Sequence, residues 1–243
     1  MQIDALALAL RPRSMPEAAD LGVRLVQSRA RSVWRTFTPV FVIVLAVALP
    51  TVEIAGWLPL LVIFWMKPWL DRTLLFVLSR AVFGEDTHLG DLWRERSAVW
   101  RGRLLSTLTL RRLSPWRSFT QAVYQLEGQR GAALRQRRKQ LLRAKGNSAF
   151  GMQMVFFLVE AILVFGLFAL TFWFALPGKG SDVFDAVFRS ESVSTSLIVA
   201  SVYAGVVLVL EPFYVAAGFA MYLNRRVELE AWDIEQEFRR AFV

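Results

Sequence analysis

The chain contains no cysteine and only one histidine. Disulfides, thiolate nucleophiles, cysteine-ligated zinc and iron–sulfur clusters are thereby excluded, and His88 alone cannot build a histidine-rich metal centre. Also missing are a Gly-rich phosphate loop, a nucleophile elbow, a metal-binding helix motif and a Ser/His/Asp set. The expectation is a protein without enzymatic activity, cofactor or metal. Charge is scarce as well, but only locally. Four stretches, 36–49, 52–66, 149–176 and 193–222, carry no charged residue other than Glu53, Glu160 and Glu211.

What is present is apolar and aromatic. Hydrophobic residues make up 55%, with 19 Phe and 9 Trp, and mean hydropathy is +0.41, high for a soluble domain of this length. Residues 67–148 carry 17 Lys/Arg against 6 Asp/Glu, a net +11 that exceeds the +9 of the whole chain. In a soluble protein such a surplus suggests nucleic acid. Beside membrane spans it sets orientation, because Lys/Arg-rich segments stay on the cytoplasmic side; nucleic acid is not an expected partner. The apolar run Ile3 to Leu10 is interrupted by Asp4 and too short for a signal-peptide core, so the first spans are expected to direct insertion.

The pattern predicts an all-α polytopic membrane protein with four transmembrane helices, the first two a short hairpin, and amphipathic interfacial helices. Residues 1–35 form a cytoplasmic amphipathic segment: Ser14-Met15-Pro16-Glu17 reads as a capping box opening a helix from Pro16 to about Trp34. Residues 36–66 form the hairpin. A single helix of 31 residues would be about 46 Å long, more than a bilayer core needs, and Pro50, Gly56 and Pro59 punctuate it. Turning between Pro50 and Gly56 also places Glu53 outside the lipid. Lys67 and Pro68 are expected to end the second arm, with Pro68 to Phe83 lying in the interface.

Residues 67–148 form a basic cytoplasmic and interfacial region. Leu89, Leu92, Trp93, Val99, Trp100 and Leu104 recur at helical spacing, Ser114-Pro115 breaks the pattern, and a second helix is expected near Gln129 to Lys145. Spans three and four lie within 149–222, joined by an outward loop, 177–192, of net charge −1. Residues 223–243 form a cytoplasmic tail. The amino-terminal segment has six Arg against three acids, so both termini are expected inside.

Few residues in the spans have chemistry available to them. Glu160 and Glu211 each fall 11 residues from the expected cytoplasmic end of their spans, about 16 Å deep in antiparallel helices. An unpaired charge there costs at least about 2.5–3.5 kcal/mol. Neither span supplies a Lys or Arg, so the two acids are expected to face the protein interior, with raised pKa values or shared hydrogen bonds, and to signal missing neighbours. Pro212 adds a kink and a freed carbonyl near Leu208. A proton or cation site, a polar helix–helix contact and coincidental depth all remain open. Ser201, Gly205 and Gly218 are small positions suited to close helix packing. Arg130, Arg135, Arg137, Arg138, Lys139, Arg143 and Lys145 offer contact with anionic phospholipid, or merely enforce orientation.

Three stretches carry a resemblance: Arg11-Pro12-Arg13-Ser14-Met15-Pro16-Glu17-Ala18-Ala19-Asp20-Leu21-Gly22, Leu113-Ser114-Pro115-Trp116-Arg117-Ser118-Phe119, and Glu211-Pro212-Phe213-Tyr214-Val215-Ala216-Ala217-Gly218-Phe219 with Asn224-Arg225-Arg226. Together they resemble an uncharacterised family of Gram-negative inner-membrane proteins. That family is encoded with a MoxR-type AAA+ ATPase and with von Willebrand A-type, transglutaminase-like, SpoIIM-like and RDD-like proteins. The resemblance implies inner-membrane localisation and a link to that ATPase system, but no activity. The carboxyl end, Pro212 to Glu235, is distantly similar to the glycerophosphodiester phosphodiesterase membrane domain, with Ala231 where that domain has Gly. The leading expectation is a non-enzymatic subunit or scaffold of an inner-membrane assembly that contacts other membrane subunits and anionic phospholipid. The rivals are a proton- or ion-coupled transporter component using Glu160 and Glu211, and an anionic-lipid-binding regulator.

Overall fold

A computed structural model describes residues 12–101, 114–174 and 192–230, and these are helical throughout, with no strand among them. The helices are α1 (Met15–Ser28), α2 (Ala30–Ala48), α3 (Leu58–Ala81), α4 (Leu89–Arg94), α5 (Arg117–Gln125), α6 (Gly131–Leu142), α7 (Gly146–Trp173) and α8 (Val193–Glu230). The loop 177–191, the tail beyond Glu230 and Leu104 lie outside the described residues.

The capping box forms. The Glu17 amide donates to Ser14 Oγ at 3.4 Å and the Ser14 amide to Glu17 Oε2 at 3.1 Å. The first helix does not run on to Trp34, however. It stops at Arg29 (φ −116°, ψ 25°), and a new helix begins at Ala30. The break lets each piece bury a different face. α1 lies along the carboxyl half of α8, so close that a Cβ on Gly22 would sit 2.2 Å from the Ala216 carbonyl oxygen. α2 instead buries Val33, Phe37, Val40, Phe41 and Val44, one stripe at helical spacing. Its opposite face exposes Val42, Ile43 and Val47, which are as apolar as the buried ones.

The chain turns between α2 and α3 through a 3₁₀ turn, Leu49–Glu53, leaving Glu53 exposed. Ile54 and Trp57 project from the tip, and Gly56 abuts Ser196 at the start of α8. Beyond the turn α3 departs from expectation. It continues without a break through Lys67-Pro68 to Ala81, and Lys67, Pro68, Asp71 and Arg72 are all buried. Proline removes one backbone donor but does not end a helix whose remaining turns are held by packing. Leu70, Leu74, Leu75 and Leu78 supply that packing.

Three stretches are long and apolar enough to cross a membrane: Ala30–Glu53, Gly146–Leu170 and Val193–Glu230. α3 is not among them, because only its first nine residues precede Lys67, about 14 Å of helix. α7 is apolar apart from its first turn, Gln153, Glu160 and Thr171, and exposes Phe157, Leu158, Ile162 and Phe165. α8 runs past Asn224-Arg225-Arg226, where the sequence suggests an end, because that stretch is anchored. Asn224 exchanges two hydrogen bonds with the backbone of Arg13, at 2.9 and 3.0 Å.

The basic region divides in three. The spacing from Leu89 yields only the short α4 and a π-type turn, Ser97–Arg101. α6 falls where a basic helix is expected. Between them α5 has no counterpart in the sequence-based expectation, yet Phe119, Ala122 and Val123 are completely buried against α8 and α3.

Candidate functional site: a buried chain of alternating charge

α3 presents Lys67 and Asp71 one helical turn apart, on one face. α5 brings in Arg117 from the side, α7 contributes Glu160 and α8 contributes Glu211. The five side chains form one line. Lys67 Nζ lies 2.7 Å from Glu160 Oε2 and 2.8 Å from Glu211 Oε2. The other oxygen of Glu211 accepts from Arg117 Nη2 at 2.8 Å, and Arg117 Nε approaches Asp71 Oδ2 at 2.7 Å. The ion pairs therefore run Glu160–Lys67–Glu211–Arg117–Asp71, alternating in sign, and the Asp71 carboxyl also lies directly against that of Glu211.

This arrangement corrects one inference from sequence. The two acids in the long helices are not waiting for cations from missing neighbours. Lys67 and Arg117, both outside those helices, pair with them inside the chain. Such charges remain buried only if each is paired and hydrogen-bonded. Glu211 has both oxygens engaged, and Lys67 and Arg117 each contact two carboxylates. The Arg117–Asp71 contact is an ion pair rather than an aligned hydrogen bond, because neither Arg117 Nε nor the Asp71 oxygens have a hydrogen-bonded partner.

Tyr214, one turn beyond Glu211, braces the line. Its ring lies 5.1 Å from the Arg117 guanidinium carbon, a cation–π contact. Its hydroxyl donates to Gln153 Oε1 on α7 and accepts from the Ser118 amide at 3.4 Å. Burial disfavours the Arg117 cation, but Asp71, Tyr214 and Glu211 more than reverse that effect and raise its pKa above the usual arginine value. Arg117 is thus a fixed positive charge.

A cavity of about 60 Å³ opens beside Lys67, Glu160, Glu211, Arg117, Gln153 and Tyr214, room for a few waters. Access is uneven. The Glu160 side chain is 18% exposed, against 7% for Lys67 and 2% for Glu211. Glu160 is therefore the end of the line closest to the surroundings.

No family model, curated protein or solved structure matches the chain. The site must be read from its own geometry.

The remaining sequence-selected residues separate clearly. Pro212 is accommodated within continuous α8, next to Glu211. Ser201 and Gly205 face outward, and nothing approaches Gly205 within 4 Å, whereas Ala200 and Ala204 are the buried small residues of that stretch. Within the described residues, then, Ser201 and Gly205 do not mediate packing. Gly218 does: a Cβ there would meet Ser118 Oγ at 2.2 Å, and this contact admits α5. Among the basic residues, Arg137 pairs with Glu127 at 3.0 Å and with Glu230, and Lys145 pairs with Glu228 at 3.0 Å. These two therefore clamp α6 and the start of α7 to the end of α8. Arg130, Arg135, Lys139 and Arg143 are exposed, and Arg138 is half-buried.

Sequence reasoning selects Glu160, Glu211 and Pro212 but not Lys67, Asp71, Arg117 or Tyr214. One signal was available: Lys67 and Asp71 at i,i+4 on one helical face, Lys67 opposite in sign to Glu211 and Asp71 opposite in sign to Arg117.

Proposed function

We propose that this chain is a non-enzymatic, four-pass subunit of a larger bacterial inner-membrane assembly, with both termini and the basic segment on the cytoplasmic side. The observation that carries this reading is the apolar outward face of α7, where Phe157, Leu158, Ile162 and Phe165 stay exposed although ion pairs bind α3, α5, α7 and α8 into one block. Pairing also supports α3 as the fourth crossing, despite its charges. Lys67 and Asp71 are both buried in protein and matched by opposite charge, the condition under which ionisable residues persist within membranes. The hairpin tip meets the start of α8 at one end of the molecule, and the paired bases Arg137 of α6 and Lys145 beside α7 lie at the other. That polarity suits an outward tip and a cytoplasmic base. The cytoplasmic faces of 84–148 and 227–243 would dock soluble partners, among them the ATPase system implied by the family resemblance.

Extraction in mild detergent, copurification and mass spectrometry test this reading. The expected product is an oligomer or hetero-complex, and a monodisperse, stable monomer refutes it.

One observation favours a second reading. Three carboxyl groups face two cations, the Asp71 carboxyl lies directly against that of Glu211, and a cavity beside Glu211 reaches the surroundings through Glu160. A proton or monovalent cation adds most naturally there, which suits a coupled transporter component. In reconstituted vesicles this reading expects proton-dependent flux that disappears in Glu160→Gln and Glu211→Gln. Variants that assemble normally, with no flux from the parent protein, eliminate it.

A further inference from the structure

One buried cation takes no part in the ion chain. Arg72 follows Asp71 on α3 and is 1% exposed. No carboxylate pairs with it among the described residues. Its hydrogen bonds are long ones, Nη1 to the Trp100 carbonyl at 3.4 Å and Nη2 to the Tyr124 hydroxyl at 3.5 Å, its guanidinium carbon lies 5.4 Å from the Tyr124 ring centroid, and its Nε has no acceptor. A guanidinium buried without a counter-charge is costly unless something supplies one.

Two further donors share its surroundings. Gln121 Nε2, on a side chain in a residue only 8% exposed, has no acceptor, and neither does Arg138 Nε. Arg72, Gln121 and Arg138 line one small cavity of about 20 Å³, the space of a single water or a single oxygen atom. Arg138 also lines a second, open groove of about 700 Å³, together with Arg135, Lys139, Arg143, Trp116 and Leu142. Among the described residues, no Asp or Glu lines either space. The Trp116 indole is held in place, its Nε1 donating to the Gly146 carbonyl at 3.0 Å.

We propose that these spaces form a binding site for a phosphate ester. One phosphoryl oxygen enters the inner cavity and accepts from Arg72, Gln121 and Arg138. The remaining oxygens stay in the groove with Arg135, Lys139 and Arg143, and the ester substituent lies against Trp116 and Leu142. A tetrahedral group with several acceptors and no donors suits this set, because guanidinium forks pair with such oxygens strongly. A single water would accept two of the three donors and would leave the Arg72 charge uncompensated. The group comes either from a phospholipid headgroup of the adjoining leaflet or from a free phosphate. The inference is independent of the assembly and transport readings above.

The test uses full-length protein in neutral detergent, with native mass spectrometry and thermal unfolding as readouts. The probes are short-chain phosphatidic acid, short-chain phosphatidylcholine and inorganic phosphate, at fixed ionic strength. Phosphatidic acid is expected to bind in one-to-one stoichiometry and to raise the unfolding temperature. Binding should weaken about tenfold to a hundredfold in Arg138→Gln and in Gln121→Leu, the loss expected for one charge-assisted or buried hydrogen bond. Arg130→Gln, an exposed basic change outside both spaces, should leave it intact. Competition by inorganic phosphate identifies a free-phosphate site, and its absence identifies a headgroup site; both outcomes support the proposal. No saturable binding overturns it, as does equal weakening by Arg130→Gln, which would indicate diffuse surface charge. If Arg138→Gln does not fold, Gln121→Leu decides, since it removes one donor and no charge.

Discussion

Lys67→Met tests the ion chain most directly. The substitution keeps the apolar length of the side chain and removes the ammonium shared by Glu160 and Glu211. Glu211 then retains only Arg117, and Glu160 retains no cation. Breaking a buried pair by removing one partner costs about 3–5 kcal/mol. The lower end applies here, because Glu160 is exposed enough to regain some water. For a chain of this size each 1 kcal/mol lowers the melting point by roughly 2–4 °C, so about 3 kcal/mol corresponds to roughly 6–12 °C. Thermal unfolding in mild detergent, followed by circular dichroism, measures it. The companion variant is Lys67→Met with Glu160→Gln. It removes the one carboxylate left without a cation and should recover about 1 kcal/mol relative to Lys67→Met alone, a coupling expected for groups in direct contact. If Lys67→Met melts within about 2 °C of the parent, or if the two substitutions are simply additive, the chain does not hold the helices together as argued.

Other consequences follow from close contacts and exposed ends. Gly22→Val places a side chain where α1 touches the Ala216 carbonyl. It should destabilise by about 1–3 kcal/mol, the range for overpacking, whereas Gly205→Val, in open space, should change the melting point little. Asp91 accepts from the His88 amide at 3.0 Å, and that bond, with Arg80 and Arg94 nearby, holds its pKa below the usual carboxylate value. The stabilisation of α4 is therefore complete above the ordinary carboxylate range and is lost as pH falls through the depressed pKa. Protection of the His88 amide against exchange, taken relative to the intrinsic rate at each pH, should fall on acidification in the parent and stay unchanged over this pH change in Asp91→Ala. Because the chain lacks cysteine, single cysteines at positions 55 and 130 report topology without background. Impermeant reagents applied to intact cells should label 55 and not 130, and labelling of 130 would refute the orientation.

Much of the fold was legible because its signals are local. Ser14 and Glu17 form their cap from residues three apart, and Pro50 to Gly56 mark a turn with no knowledge of its neighbours. Glu160 and Glu211 stood out because charge is rare in such helices. What escaped notice depends on long-range pairing. Arg117, Ser118, Thr120 and Gln121 carry no local signal of burial, yet all are buried, because Gly218 admits α5 and because Asp71 and Glu211 receive its arginine. Lys67-Pro68 looked like an ending for the same reason. A lysine followed by proline signals a helix exit unless two distant glutamates pair with the lysine. The Arg29 break was equally invisible, since it serves the packing of α1 and α2 against different partners.

α8 is one rod of 38 residues, about 57 Å long. Near its middle it carries Glu211, and at its base Glu228 and Glu230, which grip Lys145 and Arg137. A protein pulling on that base would move a stiff shaft rather than a loose tail. A slide of an ångström or two would be felt at the Lys67 ammonium, because continuous helix links that base to Glu211.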